Sequence, residues 1–262
     1  MATADRDRLD IAVTENASGE SDVLLVCEHA SNHLPPAFGT LGLSAAARQA
    51  HIAWDPGALG LSRALVNRLD CALIHATVSR LVYDLNRPPH ATGAMPAKSE
   101  VFDIPGNANL GPAERLARTE SIYLPFHAHL HAEIARRMAI GRPPTLITIH
   151  SFTPVYFGQT RAVEFGVIHD ADPTLANHIV AAAQAMTALK TALNAPYSAQ
   201  DGVTHTLRLQ ATPYGLANVM LEIRNDLLAT PEAEADMADR LAPVLQSALT
   251  AIGKPAARKV IV

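Results

Sequence analysis

The feature that most restricts the fold of this chain is a set of short apolar runs that stop abruptly at polar, reactive residues. Asp22 to Cys27, Cys71 to Val78, Thr145 to His150, Ala162 to His169 and Asn218 to Ile223 are such runs. Short and nearly uninterrupted, they fit strands covered on both faces; a strand with one face in water would alternate. Helical patterns lie between them. Asp55-Pro56-Gly57 opens one that reaches about Leu69, with Leu59, Leu61, Ala64, Leu65 and Leu69 as its apolar stripe. Here Asp55 reads as the N-cap and Pro56 as the first helical residue. A short helix is predicted over Ser44 to Ala50, and a long one from Pro112 to Ala139 with a kink near Pro125. Asp172-Pro173 starts another, running to roughly Leu193, and Thr230-Pro231-Glu232 starts the last, with Thr230 as its cap. A further strand is expected near Val203 to Leu209.

Strands alternating with helices predict an α/β fold of three layers, a mostly parallel (mixed) sheet flanked by helices on both faces. Residues 1–20 read as a tail and 21–262 as a single domain. With 262 residues, 48 % of them hydrophobic, the chain can bury one sizeable core. A formal net charge of −4 gives no electrostatic reason to expect nucleic acid or an anionic membrane as partner. The first residues are polar and lack the apolar core of a secretion signal, and no run approaches the roughly 20 apolar residues that span a bilayer. The cytoplasm is therefore the expected location. Cys27 and Cys71 sit inside apolar runs, where a buried free thiol is the usual outcome.

In open α/β sheets ligands gather beyond the carboxyl ends of the strands. Three runs end there in His29, His150 and Glu222. No glycine-rich phosphate loop follows a strand, and no Gly-x-Ser-x-Gly elbow is present, so nucleotide binding and the commonest serine-hydrolase chemistry have no support. Cys27 is too deep in its apolar run to read as a nucleophile. A metal with a carboxylate base fits the residue types better. A catalytic zinc takes about three protein ligands, His with Asp or Glu, and leaves one position open. His29 and His150 supply imidazoles; Asp55 is the preferred third ligand, with Glu28 and Asn32 competing for the place. Arg80, Arg87 and Arg224 are candidates for holding a carboxylate.

The segments Glu28-His29-Ala30-Ser31-Asn32, Trp54-Asp55-Pro56-Gly57, Ser79-Arg80 through Asp84-Leu85-Asn86-Arg87, Thr148-Ile149-His150-Ser151 and Glu222-Ile223-Arg224-Asn225-Asp226 together resemble the N-formylglutamate amidohydrolase family. That family is in turn similar to zinc carboxypeptidases, aspartoacylase-type deacylases and zinc-dependent cell-wall amidases. The resemblance implies a zinc-carboxypeptidase-like sheet and one divalent metal ion, zinc by that likeness. His29, Asp55 and His150 would be its ligands, and Glu222 the general base with Arg224 beside it in catalysis. Arg80, Asn86, Arg87 and Asn32 would contact the substrate. The carboxypeptidase His-x-x-Glu pair is His29-x-x-Asn32 here, a departure at the second ligand. The implied reaction is hydrolysis of N-formyl-L-glutamate or a close N-acyl amino acid, with this small molecule as partner. A peptidoglycan-type amide and a non-catalytic amino-acid binder are the alternatives.

Plainer accounts exist for several of these residues. Asp55 is already explained as a helix cap, Glu222 could form an ion pair with Arg224 or Arg87, and Arg80 and Arg87 could brace the long segment from Ser79 to Gly111. His127, His129 and His131 are spread around their helix and cannot form one ligand face. His51 reads as a helix-end residue near Trp54, while Tyr197 and His205 are placed to line a substrate site.

Overall fold

The computed structural model describes residues 10–254; residues 1–9 and 255–262, the outer parts of the expected tail and domain, lie outside that range. Seven strands form one sheet: β1 (Ala12–Glu15), β2 (Val23–Cys27), β3 (Ala72–Ala76), β4 (Thr145–Phe152), β5 (Phe165–Ile168), β6 (Thr191–Leu193) and β7 (Asn218–Arg224). Their spatial order is β1-β3-β2-β4-β7-β5-β6. Strands β3, β2, β4 and β7 are mutually parallel; β1 runs against β3, and β5 runs against β7 with β6 parallel to it. The sheet is therefore mixed and mostly parallel, as the alternating pattern predicts.

Alternate residues of β2 show why its sequence is apolar throughout. Val23, Leu25 and Cys27 enter the core on one face, beneath α2 (Ala58–Leu69), α5 (Thr174–Met186) and α7 (Pro231–Ala251). Leu24 and Val26 enter the core on the other, with Phe126, Leu130 and Ile134 of α4 (Leu124–Ala139). All five β2 residues are buried, so both pleat faces exclude water. Each fully buried aliphatic side chain contributes roughly 1.5–3 kcal/mol relative to exposure, which makes this strand a large part of the fold's stability.

The chain enters β2, crosses through α2 to β3 on one side, and later returns to β4 on the other side of β2. The crevice between the carboxyl ends of β2 and β4 is thus a topological switch point, where open α/β sheets leave room for ligands. Residues past both strand ends open into that crevice.

Several expectations are corrected. Residues 12–15, assigned to the tail, form edge strand β1 against β3. The strand expected near Val203 is helix α6 (His205–Gln210): Val203, Thr206, Leu207 and Gln210 are buried while Arg208 and Leu209 face out, a period of three to four. Helix α5 stops at Met186, and the following residues reach β6. No Gly or Pro marks that stop, so no local punctuation signals it. The long helix from Pro112 is α3 (Pro112–Arg118), then a π turn at Thr119–Tyr123, then α4 with Pro125 in its first turn. Asp55 caps nothing with its side chain. Helix α2 begins at Ala58 behind Gly57, whose φ is +79°. A Cβ at Gly57 would stand 2.3 Å from the Leu228 Cβ, so only glycine makes the turn that separates Asp55 from its helix.

Candidate active site

His29 follows β2 by two residues, and its backbone carbonyl accepts the Asp55 N–H at 2.9 Å. That single bond draws the α2 approach over the end of β2. His150 lies on β4, and Glu222 stands opposite it in the β4–β7 register. Gly166 of β5 pairs with Glu222 from the other side. A Cβ there would meet the Ala195 carbonyl at 2.1 Å and the Glu222 Cβ at 3.2 Å, so the glycine lets the chain close over the base of the site.

Three atoms converge at the switch point. His29 Nδ1 lies 3.1 Å from His150 Nδ1 and 3.2 Å from Asp55 Oδ2, and His150 Nδ1 lies 2.9 Å from that same oxygen. Ligand atoms held about 2.0–2.2 Å from a tetrahedral zinc stand only a little farther apart than this. All three residues are buried. The far side of each imidazole faces a carboxylate: His29 Nε2 is 2.7 Å from Asp84 Oδ1, and His150 Nε2 is 3.2 Å from Glu28 Oε2. A carboxylate on the outer nitrogen fixes the proton there and leaves the inner lone pair for a cation. Of the three rivals for the third ligand, Asp55 is the one whose oxygen joins the two histidines.

The charges around this point explain the titration behaviour. Arg80 donates to Asp55 Oδ1 at 3.0 Å and to Asp84 Oδ2 at 2.6 Å, so one guanidinium ties both acids. Burial alone would raise the Asp84 pKa, yet Arg80 and His29 hold it well below the carboxylate range. Burial would likewise lower the imidazole of His150; the Glu28 charge and the Asp55 hydrogen bond carry it well above its usual value instead. Glu28, Asp55 and Asp84 outnumber Arg80 by two charges. Two neutral histidines with a divalent cation balance that excess, and two protonated histidines do so when no cation is bound. The donor set thus fits a divalent metal, and its imidazole and carboxylate ligands suit zinc.

Glu222 differs from the other acids. Burial pushes its carboxyl up to about 7, and among the described residues its Oε2 has no hydrogen-bond partner. No ion pair with Arg224 or Arg87 is formed. A buried carboxyl with a free oxygen and a pKa near neutrality is suited to taking and returning a proton.

The site opens into a cavity of about 620 Å³. It is lined by His29, Asp55, Arg80, Asn86, Arg87, His150 and Glu222 among the residues singled out from sequence. Two others lie elsewhere. Asn32 is bonded to the Arg48 carbonyl and Gln49 Oε1. Arg224 is bonded to Asp226, Glu164 and the Arg161 carbonyl, which hold its guanidinium at the end of β7. Neither lines the cavity. Asn86 is engaged at both ends of its amide, by the Val203 carbonyl and the Thr206 N–H, so it braces the wall. Tyr197 lines the cavity, whereas His205 turns to the Tyr123 hydroxyl at 2.8 Å. His51 pairs with Glu100 at 2.8 Å at the rim. The segment from Ser79 to Gly111 is well organised: Arg118 and Asn107 bond each other and hold the carbonyls of Val82, Leu81 and Pro96.

Sequence reasoning missed Arg161, Tyr156 and Lys98 in the lining. The first two belong to a small hairpin, Val155–Tyr156 with Gln159–Thr160, and to the residue that follows it. Its Phe157-Gly158 turn was the available signal.

A mixed α/β sheet thus carries at its switch point a buried His/Asp/His cluster that could hold a cation, faced by the buried carboxyl of Glu222. Residues 21–229 match the family model for N-formylglutamate amidohydrolase, and the chain belongs to that family of amidohydrolases. The gene product Atu2144 from Agrobacterium tumefaciens is 50 % identical, with 94 % of this chain and 97 % of that one covered and a TM-score of 0.92. An N-formylglutamate amidohydrolase from Ralstonia eutropha JMP134 shares the fold at 18 % identity, covering 92 % of this chain and 98 % of its own, with a TM-score of 0.63. No curated protein matches the chain.

Proposed function

We propose that the chain hydrolyses the amide of an N-acyl amino acid, N-formyl-L-glutamate best fitting the family, with one divalent metal ion, zinc in the first instance. The observation that carries this reading is the triangle of His29 Nδ1, Asp55 Oδ2 and His150 Nδ1, with a carboxylate behind each imidazole. When bound, such an ion supplies Lewis acidity and lowers the pKa of water toward neutrality.

The chain's own residues do the rest. Asp84 and Glu28 keep the outer imidazole nitrogens protonated, and Arg80 holds Asp55 and Asp84 in place. Glu222 takes a proton from the attacking water at its free Oε2 and returns it to the departing amine nitrogen. Its pKa near 7 lets it act in both directions at neutral pH. Arg87, whose guanidinium hydrogen-bonds the Gly202 carbonyl and no carboxylate among the described residues, is free to hold a substrate carboxylate.

A screen of N-formyl, N-acetyl and N-succinyl amino acids, with zinc-loaded protein, tests the reading. Turnover of the N-formyl compounds, abolished by chelation and restored by the metal, is the expected result. Binding without turnover of any of them would replace the hydrolase by a binder of amino-acid-like ligands.

A further inference from the structure

The four Arg and Lys side chains that line the cavity are in different situations. Arg80 is spent on Asp55 and Asp84. Among the described residues Arg87 donates a hydrogen bond only to a backbone carbonyl, and Lys98 extends into solvent toward Asp103, 3.9 Å away. Arg161 is unlike all of these. Its guanidinium carbon lies 4.3 Å from the Tyr156 ring centroid, 4.8 Å from that of Tyr197 and 5.5 Å from that of Phe152. One arm donates to the Tyr197 hydroxyl at 2.8 Å, and among the described residues no carboxylate pairs with it.

Packing of a guanidinium against aromatic rings fixes its plane while leaving its in-plane N–H edge unused. Arg is a five-donor fork, and only one side-chain donor is engaged here. A partly buried cation kept without a counter-ion at the wall of a cavity is arranged for an incoming anion. Arg161 and its neighbour Tyr197 line the same cavity as Glu222 and His150. The anion is therefore carried by the same molecule whose amide reaches Glu222.

We propose that Arg161, gripped by Tyr156, Tyr197 and Phe152, is the residue that recognises the side-chain carboxylate of the substrate, separately from the α-carboxylate held at Arg87. The inference rests on the hydrolase reading for the identity of the ligand. It assigns specificity for an acidic side chain to the hairpin that ends at Thr160 and not to the long segment that carries Arg80 and Arg87.

Calorimetric titration of zinc-loaded Glu222→Gln protein with N-formyl-L-glutamate and its neutral isostere N-formyl-L-glutamine tests the proposal. Adding Arg161→Gln is expected to weaken the glutamate compound about 10- to 100-fold, the range for a charge-assisted pair, and the glutamine compound by less than about 3-fold. Arg161→Lys, which keeps the charge without the fork, falls between, and shows that the loss is not misfolding. Equal losses for both compounds, no loss for either, or no binding of either overturns the assignment. Wild-type turnover of the same pair separates the two readings. Selective loss at Arg161 without wild-type turnover leaves the assignment standing and removes the hydrolase, and turnover indifferent to Arg161 does the reverse.

Discussion

Strands β2 and β4 each pass through two environments within a few residues. In the middle of the sheet Leu25 and Ile147 are fully buried among aliphatic side chains, with every backbone group in the ladder. At the carboxyl edge of the same strands Glu28, His29 and His150 are just as buried, yet Glu28 Oε1, Glu28 Oε2 and His150 Nε2 lack hydrogen bonds of good geometry, as does Glu222 Oε2. Burial without partners costs free energy for polar groups and gains it for apolar ones. The middle of the sheet therefore holds the fold together, and its edge is held together by the fold. Stability and activity should respond oppositely to changes in the two places.

The largest effect belongs to the edge. Glu222→Gln removes the proton carrier and is expected to lower kcat by about 10²–10⁴-fold. The melting temperature should stay the same or rise, since a neutral amide replaces a carboxyl whose ionisation burial opposes. A stability loss that matches the activity loss would erase the distinction. In the middle, Leu25→Ala should cost about 2–5 kcal/mol of unfolding free energy, read from urea titration, while kcat of the folded fraction changes little. A strong fall in kcat there would mean that the edge depends on core packing more tightly than the geometry indicates.

A third contrast is electrostatic. His127 lies behind the site, its Nε2–H donating to the Leu85 carbonyl at 2.9 Å and its Nδ1 facing the Gln210 amide at 3.3 Å. Burial pushes its pKa down to about 4. Because the folded value is depressed below the unfolded one, its contribution is intact above about pH 6.5 and is lost as pH falls from there toward 4. Between pH 7 and 5 this amounts to about 2 kcal/mol, and His127→Gln should flatten the urea midpoint over that range. An unchanged pH slope would show that His127 is already charged in the native state.

The sheet, its mixed direction and most of its strands were legible because a strand buried on both faces needs an unbroken apolar run. The end of α5 was not, since no Gly or Pro marks it, nor was the identity of α6, only six residues long; both are decided by which neighbours bury which side chains. At the site, His29, His150 and Glu222 could be read from strand ends alone. Asp55 could not be separated from a helix cap until Gly57 was seen to turn the chain away from α2. Arg224 shares a strand face with Glu222, two residues along, but its guanidinium is taken by Asp226, Glu164 and the Arg161 carbonyl, partners that only the folded chain brings to it. Arg161 stayed invisible because its meaning comes from Tyr156 and Tyr197, which meet it only in three dimensions.

The central claim is that His29, Asp55 and His150 form a metal site. Metal analysis of the purified chain after equilibration with zinc, beside His150→Ala, tests it most directly. The account predicts about one zinc per wild-type chain and a clearly sub-stoichiometric amount in the variant, with circular dichroism unchanged. No zinc in the wild type, or equal zinc in both proteins, would contradict it.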